Sequence, residues 1–357
     1  MSKLKDNLPV IITGLVVGIA SVILVACGNP GNMGFCIACF IRDIAGAVKL
    51  HSASVVQYAR PEIIGIVLGS MVMALIGREF KPTGGSAPVS RFVLGFCVMV
   101  GALMFLGCPL RMVIRLGGGD GNAIIGLLGF IAGVGFGTIF LKKGFTFKRS
   151  YKMPAIEGYA LPAINVALLV ILLAFPALLA FSEEAPGSKH AAIIISLAAG
   201  LIVGALAQKS RFCMAGGIRD AIMFKDMHLL WGFVAVLVAV FVGNLITGKF
   251  VPGFDGQPVS YNSLASGNFI WAFLGMFLVG LASILLGGCP LRQLILAGAG
   301  SSDSTIAVLG MTVGAAFCHN FGLASSGKGT TLNGKIAVVI CIIITVIIGA
   351  ANCKKED

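Results

Sequence analysis

Along this chain, apolar residues come in long blocks separated by short stretches that hold most of the charges and many of the prolines and glycines. A helical ruler places ten blocks near 9–27, 61–77, 91–107, 121–141, 161–181, 191–207, 229–247, 269–288, 304–324 and 335–352. Each runs for about 17–21 residues, the length at which a helix rising about 1.5 Å per residue crosses a hydrocarbon core of roughly 30 Å. The pattern predicts membrane spans. One stretch breaks it: GNPGNMGFCIACFIRDIAGAVKLHS, at 28–52, is too polar and too rich in Gly to cross lipid, yet too apolar for a solvent loop. A re-entrant segment is predicted there.

The pattern also repeats. GFCIACFIRD at 34–43 and RFCMAGGIRD at 211–220 share a Phe-Cys followed by an Arg-Asp at the same spacing, and GCPLR occurs at 107–111 and again at 288–292. Each pair stands about half a chain apart and in the same order, which marks an internal duplication. Four predicted spans fall in each copy, within 9–141 and 191–324, and one extra span at 161–181 lies between them. The second copy therefore begins on the opposite face of the membrane. The predicted fold class is an all-α, polytopic helical membrane protein of two inverted repeats with re-entrant or short half-helices. Its expected organisation is a first repeat over 1–141, a basic loop and linker span over 142–190, a second repeat over 191–324, and a last span and tail over 325–357. LVACG at 24–28 imitates a lipoprotein cleavage site, but span 191–207 precedes Cys213 as span 9–27 precedes Cys36, so the first span is read as architecture.

Composition agrees with this. The chain is 57% hydrophobic and 11% charged, with a mean hydropathy of +1.00, where soluble domains carry about a quarter charged residues. A net charge of +12 would suggest nucleic acid on a soluble protein. Here the basic residues gather between spans, as in KKGFTFKRSYK at 142–152, and most fall on one side when the N-terminus is placed inside. No nucleic-acid partner is expected; both termini and the 142–160 loop are predicted to face the cytoplasm across a bacterial-type inner membrane.

The repeated motifs carry the chemistry. In GCPLR, proline suits the first helical turn and puts cysteine at the cap, where the positive helix end favours anions and activates thiols. The arginine stands one turn further on. An arginine near the bilayer centre costs about 2.5–3.5 kcal/mol even on the lenient insertion scale, so Arg42, Arg111, Arg219 and Arg292 need a purpose. Asp43 and Asp220 are adjacent partners for Arg42 and Arg219. Asp120 and Asp303 stand further from Arg111 and Arg292, which points those two towards a water-filled path. A buried thiol can also cap a helix simply because it fits. Recurrence beside arginine in both copies favours a functional reading for Cys36, Cys108, Cys213 and Cys289.

Other signals carry less. CIAC (Cys36 and Cys39) has metal or redox spacing but no further ligands, and Gly216 replaces Cys39 in the second copy, so no metal is expected. Cys27, Cys97, Cys318, Cys341 and Cys353 lie in or at the ends of apolar spans and read as packing residues. His51 and His319 read as isolated structural groups, and Gly14/Gly18, Gly65/Gly69 and Gly310/Gly314 as helix-packing seams. GLASSGKG at 322–329 lacks the hydroxyl residue and strand of a phosphate loop. No haem, flavin or nucleotide signature is present and no cofactor is expected. That weighs against the rival reading, a membrane-embedded thiol oxidoreductase or persulfide-handling enzyme using Cys36 and Cys39.

FCIACFIRD, GGSAPVSRFVLGF and GCPLRMVIRLGGGDGNA together closely resemble the YeeE/YedE family of sulfur-compound transport proteins, and its YedE branch in particular. The resemblance implies an hourglass-shaped helical protein whose short helices carry pore-lining cysteines, here Cys36, Cys108 and Cys289. It also implies selenium, since the YedE branch is associated with selenium metabolism. The expected function is transport, not catalysis, of a small selenium-containing or sulfur-containing anion, with thiosulfate uptake as the alternative. Cys39 and Cys213 depart from a simple thiosulfate pattern. The expected path residues are Cys36, Cys108, Cys213, Cys289, Arg111 and Arg292, with Cys39, Arg42, Asp43, Arg219 and Asp220 in secondary roles. The expected partners are the anion, the lipid bilayer and a cytoplasmic sulfur or selenium carrier protein.

Overall fold

The computed structural model describes residues 2–254, 268–327 and 329–354. Its first half runs α1 (Ser2–Ala26), α2 (Ile37–Ala47), α3 (Pro61–Ile76), α4 (Pro88–Phe105), α5 (Pro109–Gly117) and α6 (Asn122–Lys142). The second half repeats that order as α9 (Ile193–Lys209), α10 (Met214–Phe224), α11 (His228–Ile246), α12 (Asn268–Leu286), α13 (Pro290–Gly298) and α14 (Ser302–Asn320). Between the halves lie the one-turn α7 (Ala155–Gly158) and α8 (Ala160–Ala174), and α15 (Leu332–Ala351) closes the chain. The only strands among the described residues, β1 (Thr83–Gly84) and β2 (Tyr151–Lys152), pair antiparallel beside the basic loop.

Seven helices among the described residues are long and apolar enough to cross a membrane, and the chain is a multi-pass membrane protein. Three of the ten spans expected from the sequence fall short of that. The helices α3 and α8, of 16 and 15 residues, would rise only about 24 and 22 Å. The third, α14, is long enough, but its first turn, Ser302-Asp303-Ser304-Thr305, is polar and buried.

The halves grip each other reciprocally. Packing of α3 on α9 is matched by α11 on α1, that of α6 on α12 by α14 on α4, and α4 meets its counterpart α12 directly. The match extends to residues. A Cβ at Gly129 or Gly133 of α6 would strike the backbone of Phe273 or Phe277 on α12, and one at Gly310 or Gly314 of α14 would strike that of Phe92 or Phe96 on α4. Small residues let these backbones approach, which is how helices pack tightly in lipid.

The segment at 28–52 folds as irregular turns followed by α2, and 10 of the 11 residues of α2 are buried. At nine to eleven residues each, α2, α5, α10 and α13 are too short to span about 30 Å of hydrocarbon. They interlock between the halves, α10 against α5 and α13 against α2.

Candidate functional site

Each short helix begins on a motif cysteine. Cys36 and Cys213 cap α2 and α10, and each sulfur accepts a backbone hydrogen bond at 3.3 Å, from the N–H of Cys39 and of Gly216. Cys108 and Cys289 cap α5 and α13 in extended backbone, with Pro109 and Pro290 in the first turn. The preceding long helix must stop abruptly to free each cap. It does so through a residue with positive φ, Leu106 at 59° in the first half and Gly287 at 82° in the second. Glycine enters that conformation freely, whereas leucine pays a steric cost. The next residue is glycine in both copies because the side chain of Arg111 or Arg292 folds back over it, leaving no room for a Cβ.

The caps meet in pairs. Cys36 adjoins Cys108, and Cys213 adjoins Cys289, so each half assembles one thiol pair from two motifs about seventy residues apart. All four cysteines are buried. An arginine attends each pair. Arg111 donates through Nε to the carbonyl of Asn32 at 3.0 Å and through Nη1 to the Cys39 sulfur at 2.9 Å. Arg292, which acts electrostatically on Cys213 and Cys289, makes no hydrogen bond to any described residue, and its Nη1 is buried without a partner. The Glu79 carboxylate acts on Arg292 only electrostatically; a largely buried guanidinium with an unpartnered N–H is costly, and an incoming anion would satisfy it.

The secondary residues divide. Asp43 is fully buried and bridges two arginines: Oδ1 accepts from Arg42 at 2.7 and 2.9 Å, and Oδ2 accepts from Arg60 at 2.7 Å. Arg60, which sequence reasoning missed, is itself fully buried and sits over the rings of Phe40 and Tyr58. Only the unlikely sight of a charge beside Pro61 at a helix start could have flagged it. In the second half, Arg219 and Asp220 pair at 2.7 Å but remain partly exposed. The distant aspartates do not serve the motif arginines. Asp120 takes Arg115, and Asp303 takes Ser86, Ser150 and Arg91.

A cavity of about 560 Å³ opens beside Arg111, lined by Arg42, Arg111, Lys189, His319, Cys318 and Ser325 among others, with no carboxylate among the described residues of its wall. His319 is not isolated, contrary to the expectation from the sequence. Its ring stacks on His51 with centroids 4.7 Å apart, because α14 packs on α2 and on the loop after it. His51 is held in turn by the carbonyl of Arg42 and the N–H of Ala53, while Nε2 of His319 has no partner. A second buried carboxylate also escaped the sequence reading: Glu62 accepts from Asn29 and Ser196 and so ties the turn before Cys36 to α3 and α9.

Comparison with known proteins agrees with the motifs. Residues 209–351 match the family model described as sulphur transport. The thiosulfate transporter TsuA of Escherichia coli (strain K12) is 32% identical over 118 residues, which is 32% of this chain and 31% of that protein. The aligned segment thus spans about a third of the relative's length. The resemblance to sulfur-compound transport proteins is borne out, though not its YedE branch, and the family match covers Cys213, Cys289 and Arg292.

Proposed function

We propose that the chain carries a small sulfur- or selenium-containing anion across a bacterial-type inner membrane, passing it between the two thiol pairs. The observation that supports this most is the recurrence of one arrangement, two capping thiols beside a guanidinium, in both halves. Thiols are weak hydrogen-bond donors and polarisable, which suits a soft chalcogen anion, and the arginines supply the charge. Neither forms a lasting bond, so each site stays weak enough to release what it holds. The cavity lined by Arg42, Arg111 and Lys189 acts as an anion-collecting mouth.

Counting the short helices α3 and α8 as crossings, with the bilayer thinned to meet them, five precede the second half (α1, α3, α4, α6 and α8), so the first site faces outside and the second faces the cytoplasm, with both termini inside. Discontinuous helices from inverted halves meeting near the midplane are a common way to build such a path. A cytoplasmic sulfur or selenium carrier protein would receive the anion at the second site. The YedE-like motifs favour selenium; thiosulfate is the second reading, favoured by the name of the E. coli relative.

Liposomes containing the purified protein should accumulate the anion unchanged. Thiol-dependent conversion of unsequestered anion would instead favour the enzyme reading. In cells lacking the protein, selenium incorporation at limiting supply should fall while growth on thiosulfate is spared. Loss of thiosulfate-dependent growth with selenium incorporation intact would select the second reading.

A further inference from the structure

The two sites differ at one matching position. Cys39 is the third residue of α2 and Gly216 the third residue of α10, and both backbone N–H groups reach their cap sulfur at 3.3 Å. The backbones are therefore equivalent there, and only the side chain differs. In the first half that side chain is a thiol whose sulfur takes Nη1 of Arg111 at 2.9 Å. In the second half it is absent, and Nη1 of Arg292 is buried with no partner. Packing keeps it absent: a Cβ at Gly216 would lie 3.1 Å from Leu229 Cδ1 and 3.2 Å from Cys213 Cβ, so a side chain there would need its neighbours to give way.

We propose that Cys39 is a tethered stand-in for the transported anion: its sulfur occupies the guanidinium of the first site at rest, whereas the second site, lacking it, is open to bind. The inference rests on the anion-transport reading and adds how the two sites share the work. A sulfur on the same chain competes at high effective concentration, so an anion at Arg111 must displace it and is readily displaced in return. An anion at Arg292 meets no such competitor. The first site therefore samples anions and lets them go, and the second holds them. A soft sulfur is a fitting stand-in because it presents Arg111 with an atom like the terminal atom of a soft chalcogen anion.

The test uses iodide, a soft anion that can be located by its anomalous scattering in crystals of the full-length protein. In the wild type, iodide should occupy the site at Arg292 and leave Arg111 to Cys39. In Cys39→Ala, iodide should appear at both arginines. In Gly216→Cys, it should be lost from Arg292; should that variant fail to fold because Leu229 cannot move, Cys39→Ala decides alone. Iodide at Arg111 in the wild type, its absence at Arg292 there, or its absence at Arg111 in Cys39→Ala would each overturn the proposal. Soaking with thiosulfate and with selenite then separates the two readings. If neither displaces iodide from Arg292 while the iodide pattern holds, the stand-in survives and the chalcogen-anion function fails.

Discussion

The first and second sites are built from the same motif and surrounded differently. Around the first, Asp43 bridges Arg42 and Arg60 with all three side chains at most 5% exposed, and Arg111 is held by Asn32 and Cys39. Around the second, Arg219 and Asp220 are 33% and 17% exposed, and Arg292 has no hydrogen-bond partner among the described residues. Duplication copied the capping thiol, the helix start and the arginine. The neighbours decide whether the arginine is occupied or open, and whether its flanking ion pair is part of the core or of the surface.

The largest contrast should appear in stability. Asp43→Asn leaves Arg42 and Arg60 buried without their carboxylate, and breaking a buried pair in this way costs about 3–5 kcal/mol. Asp220→Asn breaks a partly exposed pair, worth about 0–1 kcal/mol. Thermal unfolding of the purified variants should show a large loss for the first and little for the second. Equal losses would mean that burial does not distinguish the two sites.

Transport should be hit hardest at the caps. Cys108→Ala and Cys289→Ala each remove one thiol from a buried pair, and a hydrogen bond to a charged group is worth about 1.5–3 kcal/mol, tenfold or more in rate or affinity. Uptake should fall by about that factor with membrane abundance unchanged. If both variants transport normally, the motif is a packing device and the proposed path is wrong.

The arginines should separate more finely. Arg292 makes no hydrogen bond to described residues, so Arg292→Lys should leave stability nearly unchanged. It should weaken the apparent affinity about tenfold, because an ammonium does not reproduce the planar fork of guanidinium. Arg111→Lys removes the donor from Asn32 and Cys39 as well, and should cost about 1–3 kcal/mol of stability in addition. An unfolding curve for Arg292→Lys as damaged as that for Arg111→Lys would show that Arg292 has a structural task that its open geometry does not suggest.

Much of this was legible in the sequence, because the hydrophobic period and the duplicated motifs are local. GCPLR announces a cap, a helix start and an arginine in five consecutive residues. What the sequence hid depends on which helices meet. The pairing of Cys36 with Cys108 requires α2 and α5 to converge, and the stacking of His51 on His319 joins residues from opposite ends of the chain. The distance of Asp120 and Asp303 from Arg111 and Arg292 along the chain correctly argued against those pairings, but that Arg115 and Arg91 take them instead was hidden. Spacing also overstated α8, since apolar composition runs past Phe175, where the helix ends, while α3 ends at Gly77 where the sequence turns charged and is simply short.

The finest test of the comparison is a third thiol pair that lacks the arginine. Cys97 on α4 adjoins Cys341 on α15, and both are buried, at 1% and 4% exposure. The groups acting on this pair are Thr345 and Cys318, with no cation among them. If a buried thiol pair alone sufficed for an anion, this one would matter as much as the other two. The proposed mechanism requires the guanidinium, because an anion entering a site without positive charge pays its desolvation uncompensated. Cys341→Ala should therefore leave uptake at the wild-type level and cost about 1 kcal/mol in stability, from a lost buried sulfur and the small void it leaves. Uptake that falls with Cys341→Ala as it does with Cys289→Ala, at equal membrane abundance, would place the path along α4 and α15 and detach it from the arginines altogether.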